Sequence, residues 1–205
     1  MTEVRRQGVV LCVSGPSGVG KGTVIRELRR MRQNIVHSIS MTTREPRPGE
    51  RDGVEYYFCS RAAFLEQLDR GEILEHDYYC ENYYGTPRTP LEKHSALGYD
   101  VVMDITVPGS LAVMKNYPDA ITLFLMPPSY TELRRRLTKR GTEAMKVVEK
   151  RMQKARDEIH MARLFQYVVV NEDITQSARD ILAILDAEHS RYARMAGIED
   201  IVLSR

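Results

Sequence analysis

Residues 8–23 read GVVLCVSGPSGVGKGT, an apolar run that turns abruptly into a glycine-rich segment with a single lysine. The β-branched run from Val9 to Val13 predicts a short strand, and apolar residues at helical spacing predict a helix from Lys21 to Met31. The intervening glycines let the backbone wrap around an anion with its N–H groups pointing inward, and Lys21 can reach terminal phosphates. This order of strand, loop and helix predicts a P-loop. Its phosphate-binding residues are expected to be Gly15, Pro16, Ser17, Gly18, Val19, Gly20, Lys21, Gly22 and Thr23.

The alternative for this segment is a glycine-rich turn that merely joins a strand to a helix. The spacing, the lysine and the flanking elements all favour a P-loop instead. The motif places Ser or Thr directly after the lysine for Mg²⁺, whereas this chain has Gly22 and then Thr23. Mg²⁺ is therefore expected near Thr23, without a direct ligand being assigned. The GKGT variant resembles that of nucleoside-monophosphate kinases.

Length and composition favour one α/β domain with a proper core. The 205 residues include 30 basic and 28 acidic side chains, which give a formal net charge of +2. This balance indicates neither a nucleic-acid partner nor a membrane surface. The three cysteines form no CxxC pair and the five histidines show no ligand spacing, so a disulfide framework or zinc site is not expected.

The amino terminus does not have the pattern of a targeting segment. It begins Met-Thr-Glu-Val-Arg-Arg, and its apolar stretch is about half as long as a signal-peptide core. No run approaches the roughly eighteen apolar residues of a membrane span. These features predict a soluble, cytoplasmic protein. We expect a monomer or a small homo-oligomer, a choice that the sequence does not make.

The rest of the chain alternates between predicted strands and helices. Strands are expected within 36–40, 56–58, 73–76, 101–105, 121–126 and 167–170. Helices are expected after the Ser60 cap, over 89–98 with Thr89 and Glu92 as a capping box, over 110–115, from Ser129 to Gly141, over 143–164 and over 175–195. The aromatic segment 78–86 is expected to be rich in turns.

This alternation predicts an α/β fold, namely a three-layer P-loop NTPase architecture with a mostly parallel central sheet. Ligands of such folds bind beyond the carboxyl ends of the strands, where the P-loop lies. Residues near 36–88 do not fit the alternation, which predicts an inserted lobe facing the phosphate site. We expect a single domain over 1–205. Its core covers about 1–35 and 95–205, its lobe about 36–90 and its helical lid about 134–160.

Several motifs outside the P-loop are more specific. The sequence reads SMTTREPRPGE at 40–50, ILE at 73–75, NYYGT at 82–86, PPS at 127–129, RGTE at 140–143 and VNED at 170–173. In this order the chain closely resembles the guanylate kinase family over nearly its whole length. The resemblance implies ATP-dependent phosphorylation of GMP to GDP, and of dGMP to dGDP, with Mg²⁺ accompanying ATP.

Arginines and tyrosines of the lobe are candidates for the monophosphate. Arg44 and Arg47 stand three apart in a proline-stiffened loop, and guanidinium groups bind phosphate oxygens bidentately. In the family these positions hold the GMP phosphate. Tyr56 and Tyr84 match tyrosines whose hydroxyls reach the same phosphate, although an isolated tyrosine is more often a core aromatic.

Glu75 matches the carboxylate with which the family reads guanine. Among common purines only guanine offers adjacent N1–H and N2–H₂ donors to one acceptor-only group. Ser40 and Thr86 match the hydroxyl positions that complete this recognition. Small polar residues in turns are the alternative for these two, and Glu75 is what favours the functional interpretation.

Phosphoryl transfer requires positioning and charge stabilisation rather than a covalent nucleophile. Arg136 and Arg140 are one helical turn apart and can face the same way, which suits a lid over ATP. By resemblance, Arg140 and Arg151 join Lys21 and Arg44 as catalytic residues against the transferring phosphoryl group. Three further side chains are expected to form only a solvated basic face, namely Arg134, Arg135 and Lys139. Asn171 matches the adenine-side loop of the ATP site.

Asp104 ends a predicted strand and matches the first acid of the family's D-I-D-x-Q-G segment. A carboxylate there can orient Mg²⁺-bound water or nucleotide. The second acid of the segment is replaced by Thr106 and the glutamine by Pro108. By resemblance Asp104 and Thr106 belong to the GMP side, and the replacements are expected to affect GMP affinity rather than reaction type.

Two other functions compete with this interpretation. Another nucleoside-monophosphate kinase is disfavoured by Glu75. A non-catalytic guanylate-kinase-like module that binds phosphorylated proteins would share the lobe and its arginines. The intact P-loop disfavours that module. A module that binds no ATP would have no function for Lys21, Arg140 and Arg151.

Overall fold

The computed structural model describes residues 7–138 and 145–204, without the side chains of Met145 and Lys146. Its strands are β1 Val10–Ser14, β2 Ile35–His37, β3 Met41–Thr42, β4 Tyr57–Phe58, β5 Ile73–Tyr79, β6 Asn82–Pro87, β7 Asp100–Asp104, β8 Ile121–Met126 and β9 Tyr167–Val170. Its helices are α1 Lys21–Met31, α2 Arg61–Asp69, α3 Arg88–Ala96, α4 Val107–Asn116, α5 Tyr130–Thr138, α6 Met145–His160, α7 Ile174–His189 and α8 Ile198–Leu203. Short 3-10 helices lie at Met161–Leu164 and Tyr192–Arg194.

The main sheet has the order β2-β7-β1-β8-β9, and all its pairs are parallel. Central strand β1 is buried throughout, which explains its continuous apolar sequence. Alternate side chains of β1 pack on opposite faces: Leu11 contacts the layer of α1 and α7, and Val10 the layer of α3 and α4. The result is the predicted α/β fold with a mostly parallel sheet between two helical layers. The carboxyl end of β1 leads directly into the glycine-rich loop.

A second sheet, ordered β4-β3-β6-β5, is formed within residues 41–87. Its β5–β6 pair is an antiparallel hairpin that reverses at Cys80 and Glu81, both with positive φ. The expectation of a turn-rich segment over 78–86 is therefore wrong. Cross-strand aromatic packing, such as Tyr78 against Tyr83 with ring centroids 4.7 Å apart, extends the strands almost to the turn.

Several predicted elements are confirmed at their predicted bounds: α1, β8 and β9. Ser60 caps α2 as predicted, by accepting a hydrogen bond from the Ala63 amide. Ser129 likewise accepts from the Glu132 amide at the start of α5. Local capping chemistry was sufficient to place these helix starts.

Other boundaries differ from expectation. Helix α3 begins at Arg88, directly after Pro87, so Thr89 lies inside the helix and does not cap it. The Arg88 amide donates a hydrogen bond to the Glu72 carbonyl. Helix α4 begins at Val107 rather than at residue 110, because Thr106 caps it. Helix α7 ends at His189 rather than at residue 195, and the chain turns back so that Arg191 pairs with Glu188.

The predicted helix over 143–164 corresponds to α6 followed by a 3-10 turn. Residues 139–144, with Lys139, Arg140 and Gly141 among them, lie outside the described residues. Among the helices of the described part, none combines the length and apolar character that a membrane crossing requires.

Candidate active site

The glycine-rich loop after β1 has positive φ angles, which favour glycine, at Gly15, Gly18 and Gly20. Gly15 has a φ of 147°, and a Cβ there would collide with the Leu125 carbonyl oxygen. Gly20 has a φ of 104° and immediately precedes α1. The N-terminus of α1 therefore lies directly at the end of the loop, which is the arrangement of an anion-binding helix terminus.

Lys21, the first residue of α1, folds back over the loop. Its Nζ donates to the Gly15 carbonyl at 3.1 Å and lies 3.8 Å from Asp104 Oδ1. Asp104 is the last residue of β7, whose neighbour in the sheet is β1. The structure thus brings Lys21 and Asp104 together at the carboxyl edge of the sheet, beside the loop.

The carbonyl oxygen of Val19 is held from two sides. It accepts hydrogen bonds from Asn171 Nδ2 at 2.8 Å and from Arg136 Nη1 at 3.1 Å. Arg136 Nη2 also donates to the Asn171 carbonyl at 3.0 Å, and Ser177 Oγ donates to Asn171 Oδ1. Arg136 and Asn171 therefore fix the loop itself, and their contact with ATP stays a prediction.

Helix α6 lies beside the loop. Arg151 Nη2 donates to Ser17 Oγ at 2.6 Å, a contact between residues far apart in sequence. Arg134 and Arg135 are exposed, as expected of a solvated face, and Arg135 pairs with Glu132. Of the predicted lid arginines, the structure thus places Arg136 and Arg151 at the loop, whereas Arg140 lies outside the described residues.

The lobe gathers the predicted monophosphate residues into one cluster. Arg44 lies 5.5 Å from the Tyr56 ring centroid, and the rings of Tyr56 and Tyr84 are 6.0 Å apart. The hydrogen bond that Arg44 donates to Glu50, and to a lesser extent the nearby Tyr84, raises the pKa of Arg44. Arg47 has an exposed side chain, and its backbone amide donates to Glu50.

Sequence reasoning did not assign a role to Glu50. Arg44 Nη2 lies 2.9 Å from each carboxylate oxygen of Glu50, so this residue orients the guanidinium group. Phe58 adds a second aromatic face 5.8 Å from the guanidinium carbon. The signal in the sequence was the acid six residues after Arg44 within the same proline-rich loop.

Glu75 on β5 is buried, with 7% of its surface exposed. Thr86 Oγ1 on β6 donates to Glu75 Oε1 at 2.7 Å, and a Cβ at Gly109 would lie 2.7 Å from Glu75 Oε2. Burial raises the pKa of Glu75, and the Thr86 hydrogen bond opposes this effect. A ligand that donates hydrogen bonds to Glu75 would stabilise the charged carboxylate. Ser40 is partly buried next to β3, and its carbonyl accepts from the Tyr57 amide.

Thr106 lies between the residues around Glu75 and the P-loop residues around Lys21. Its Oγ1 caps α4 by accepting from the Gly109 amide at 3.2 Å. It also lies 3.3 Å from the same Gly109 Cβ position that Glu75 Oε2 approaches. Thr106 and Glu75 therefore both lie next to Gly109, whereas Asp104, two residues before Thr106, lies next to Lys21.

Two oxygen-bearing residues near the loop suit a hard cation. Thr23 lies on the exposed first turn of α1, and the Asp104 side chain is 30% exposed. No cluster of three or more metal-binding side chains occurs in the part of the chain that the structure describes. Mg²⁺ is commonly held by one or two protein oxygens together with phosphates and water, and Thr23 and Asp104 could supply such oxygens.

Comparisons with known proteins agree on one family. A family model described as guanylate kinase matches residues 6–188. A guanylate kinase of Oceanobacillus iheyensis is 42% identical over 94% of each chain, and one of Thermus thermophilus is 44% identical over 97% of this chain and 90% of the relative. The crystal structure of a guanylate kinase from Anaplasma phagocytophilum superposes with a TM-score of 0.77 at 37% identity, covering 98% of this chain and 96% of that one.

Proposed function

The chain belongs to the guanylate kinase family, and we infer from this that it transfers the γ-phosphoryl group of ATP to GMP, yielding ADP and GDP. The observation that carries this inference is the buried Glu75–Thr86 pair at the edge of the second sheet. A carboxylate that only accepts hydrogen bonds fits the adjacent N1–H and N2–H₂ donors of guanine. Adenine presents an acceptor at N1 and would leave this buried group unpaired.

The two nucleotide sites are connected through the junction of β7 and α4. Asp104 at the end of β7 contacts Lys21 of the P-loop, and Gly109 in the first turn of α4 contacts Glu75. This junction supports binding of ATP on the side of Lys21 and of GMP on the side of Glu75. Ser40, Thr86, Thr106 and Glu75 would surround the base, and Asp104 would lie on the side of the phosphates.

Binding and positioning account for the proposed reaction. Arg44, Arg47, Tyr56 and Tyr84 would hold the phosphate of GMP as the nucleophile. Lys21, Arg151 and Arg140 would stabilise charge on the transferring group, and Arg140 takes this role by family resemblance alone. Fixed cationic groups lower the barrier because they need not reorganise as charge develops.

Mg²⁺ would accompany ATP beside Thr23 and Asp104. When bound, it would supply charge neutralisation to the phosphate oxygens. Asp104 lies close enough to Lys21 to hold that lysine in place as well.

The remaining proposals concern organisation and partners. We assign a core at about 1–35 and 95–205, a GMP-binding lobe at about 36–90 and a lid at about 134–160, supported by the second sheet within 41–87. We further propose that dGMP is a substrate, that neither nucleic acid nor membrane is a partner, and that the enzyme is a cytoplasmic monomer or small homo-oligomer. The three free cysteines support a reducing compartment.

A coupled assay that follows ADP formation tests the proposed function. With Mg²⁺ and ATP present, we expect turnover with GMP and dGMP and little with AMP, CMP or UMP. Preference for another monophosphate would assign the chain to a different nucleoside-monophosphate kinase activity. Binding of GMP without turnover of any monophosphate would instead favour a non-catalytic binding module.

Replacing Thr106 by Asp is expected to lower the KM for GMP. Asp caps a helix about as well as Thr, so α4 should be preserved. A charged acceptor contributes roughly 1 kcal/mol more than a hydroxyl, which corresponds to about fivefold in affinity. The measurement is a GMP titration at saturating ATP. An unchanged or higher KM would mean that repulsion from Glu75 outweighs the added acceptor, and that position 106 contributes only the cap.

A further inference from the structure

One carboxylate near the P-loop has no part in the reaction described above. Glu158 on α6 is about two helical turns beyond Arg151 and therefore on the same face of that helix. Because Arg151 donates to Ser17 Oγ at 2.6 Å, this face of α6 is directed at the loop. Glu158 is thus a negative charge placed next to a site built for phosphates.

Helix α6 packs against α5. Its Met152 and Ala155 are buried against Leu133 and Leu137 of α5. Leu137 in turn lies directly against Gly18 of the loop, where a Cβ would approach its Cδ2 to 2.6 Å. The loop, α5 and α6 therefore form one continuous set of contacts. This packing holds α6, and with it Glu158, in place beside the loop.

The Glu158 carboxylate is poorly compensated. Only 13% of its side chain is exposed, and its Oε1 lies 3.8 Å from Lys154 Nζ. Its other oxygen, Oε2, is buried without a hydrogen-bond partner among the described residues. Burial raises the pKa of Glu158, while the charges of Lys154 and Lys21 and the backbone amide of Ser17 act in the opposite direction. Two of these three groups, Lys21 and the Ser17 amide, belong to the P-loop.

We propose that the Glu158 carboxylate and the phosphate groups of ATP compete for the same positive region of the P-loop, so that Glu158 sets the affinity for ATP. This inference rests on the proposed function, since it assumes that ATP occupies the loop. Lys21 and the loop amides can compensate one anionic group fully only if the other withdraws. The free energy needed to displace the Glu158 side chain from this region would therefore oppose ATP binding.

The test compares Glu158→Gln with Asp157→Asn as a matched control. Gln preserves the size of the side chain and removes its charge, and Asp157 is an exposed acid on the same helix. Calorimetric titration of ATP in EDTA should give a Kd for Glu158→Gln about threefold to tenfold lower than for the wild type. Asp157→Asn should bind ATP like the wild type, and adenosine, which lacks phosphates, should bind all three proteins alike.

Steady-state assays add an independent measurement. The KM for ATP should fall in Glu158→Gln while the KM for GMP stays the same. Unchanged or weaker ATP binding in EDTA would overturn the inference, and so would an effect that appears only with Mg²⁺, because Glu158 would then act through the metal. Failure of the wild-type protein to phosphorylate GMP would overturn the proposed function, whereas normal wild-type turnover without tighter ATP binding in Glu158→Gln would overturn this inference alone.

Discussion

Replacing Lys21 by Ala should lower kcat for GMP phosphorylation by about a hundredfold or more, the usual consequence of losing a fixed electrostatic stabiliser. The ammonium group lies between the Gly15 carbonyl and Asp104, at the mouth of the loop. Its charge is therefore positioned before ATP arrives, and alanine leaves the transferring phosphoryl group without it. The measurement is the rate of ADP formation at saturating ATP and GMP, which gives kcat directly.

The fold should tolerate this substitution. The contact of Lys21 with Asp104 is long, at 3.8 Å, and the Asp104 side chain is 30% exposed, so water can solvate the carboxylate once the lysine is removed. Arg29→Ala, which removes a cation from the exposed face of the same helix, is the matched control and should keep wild-type turnover. A folded Lys21→Ala protein with near-normal kcat would exclude the loop from the phosphoryl-transfer site.

Replacing Glu75 by Gln should raise the KM for GMP by roughly a hundredfold, because a charged acceptor of two hydrogen bonds is lost. The Gln oxygen can still accept from Thr86, as Glu75 Oε1 does at 2.7 Å. Its amide nitrogen, however, would present a donor to the donors of guanine. The expected result is a loss of discrimination between GMP and AMP with little change in the KM for ATP.

The control for this experiment is Asp77→Asn. Asp77 is an exposed acid on the same strand, and its replacement removes the same charge without touching the Glu75–Thr86 pair. Competition assays with GMP and AMP at fixed ATP compare the three proteins. If Glu75→Gln retains the wild-type preference for GMP, guanine is read by other residues. The Glu75–Thr86 pair would then no longer support the proposed function.

Local sequence was sufficient for the P-loop and for the order of the core elements. Gly15 and Gly20 require backbone angles that only glycine adopts easily, and the apolar pattern of β1 requires burial on both faces. Helix starts marked by Ser60 and Ser129 were also predictable, because a cap acts within one turn of its own helix. These are short-range properties of the chain.

Family resemblance added candidates that no local pattern could have selected. Glu75 and Thr86 lie on different strands, and only the hairpin of β5 and β6 makes them partners. The prediction of turns over 78–86 was wrong for the same reason, since cross-strand aromatic contacts extended the strands. Pairing across a sheet depends on register, which isolated residue preferences do not encode.

Tertiary structure alone decided the partners that surround the site. Glu50 orients Arg44, Arg136 and Asn171 hold the Val19 carbonyl, and Glu158 approaches the loop from α6. Asn171 and Val19, for example, meet across the fold although 152 positions separate them in sequence. Such contacts follow from how helices and sheets pack, because a side chain can be aimed at a distant group only after the elements that carry both have been fixed in space.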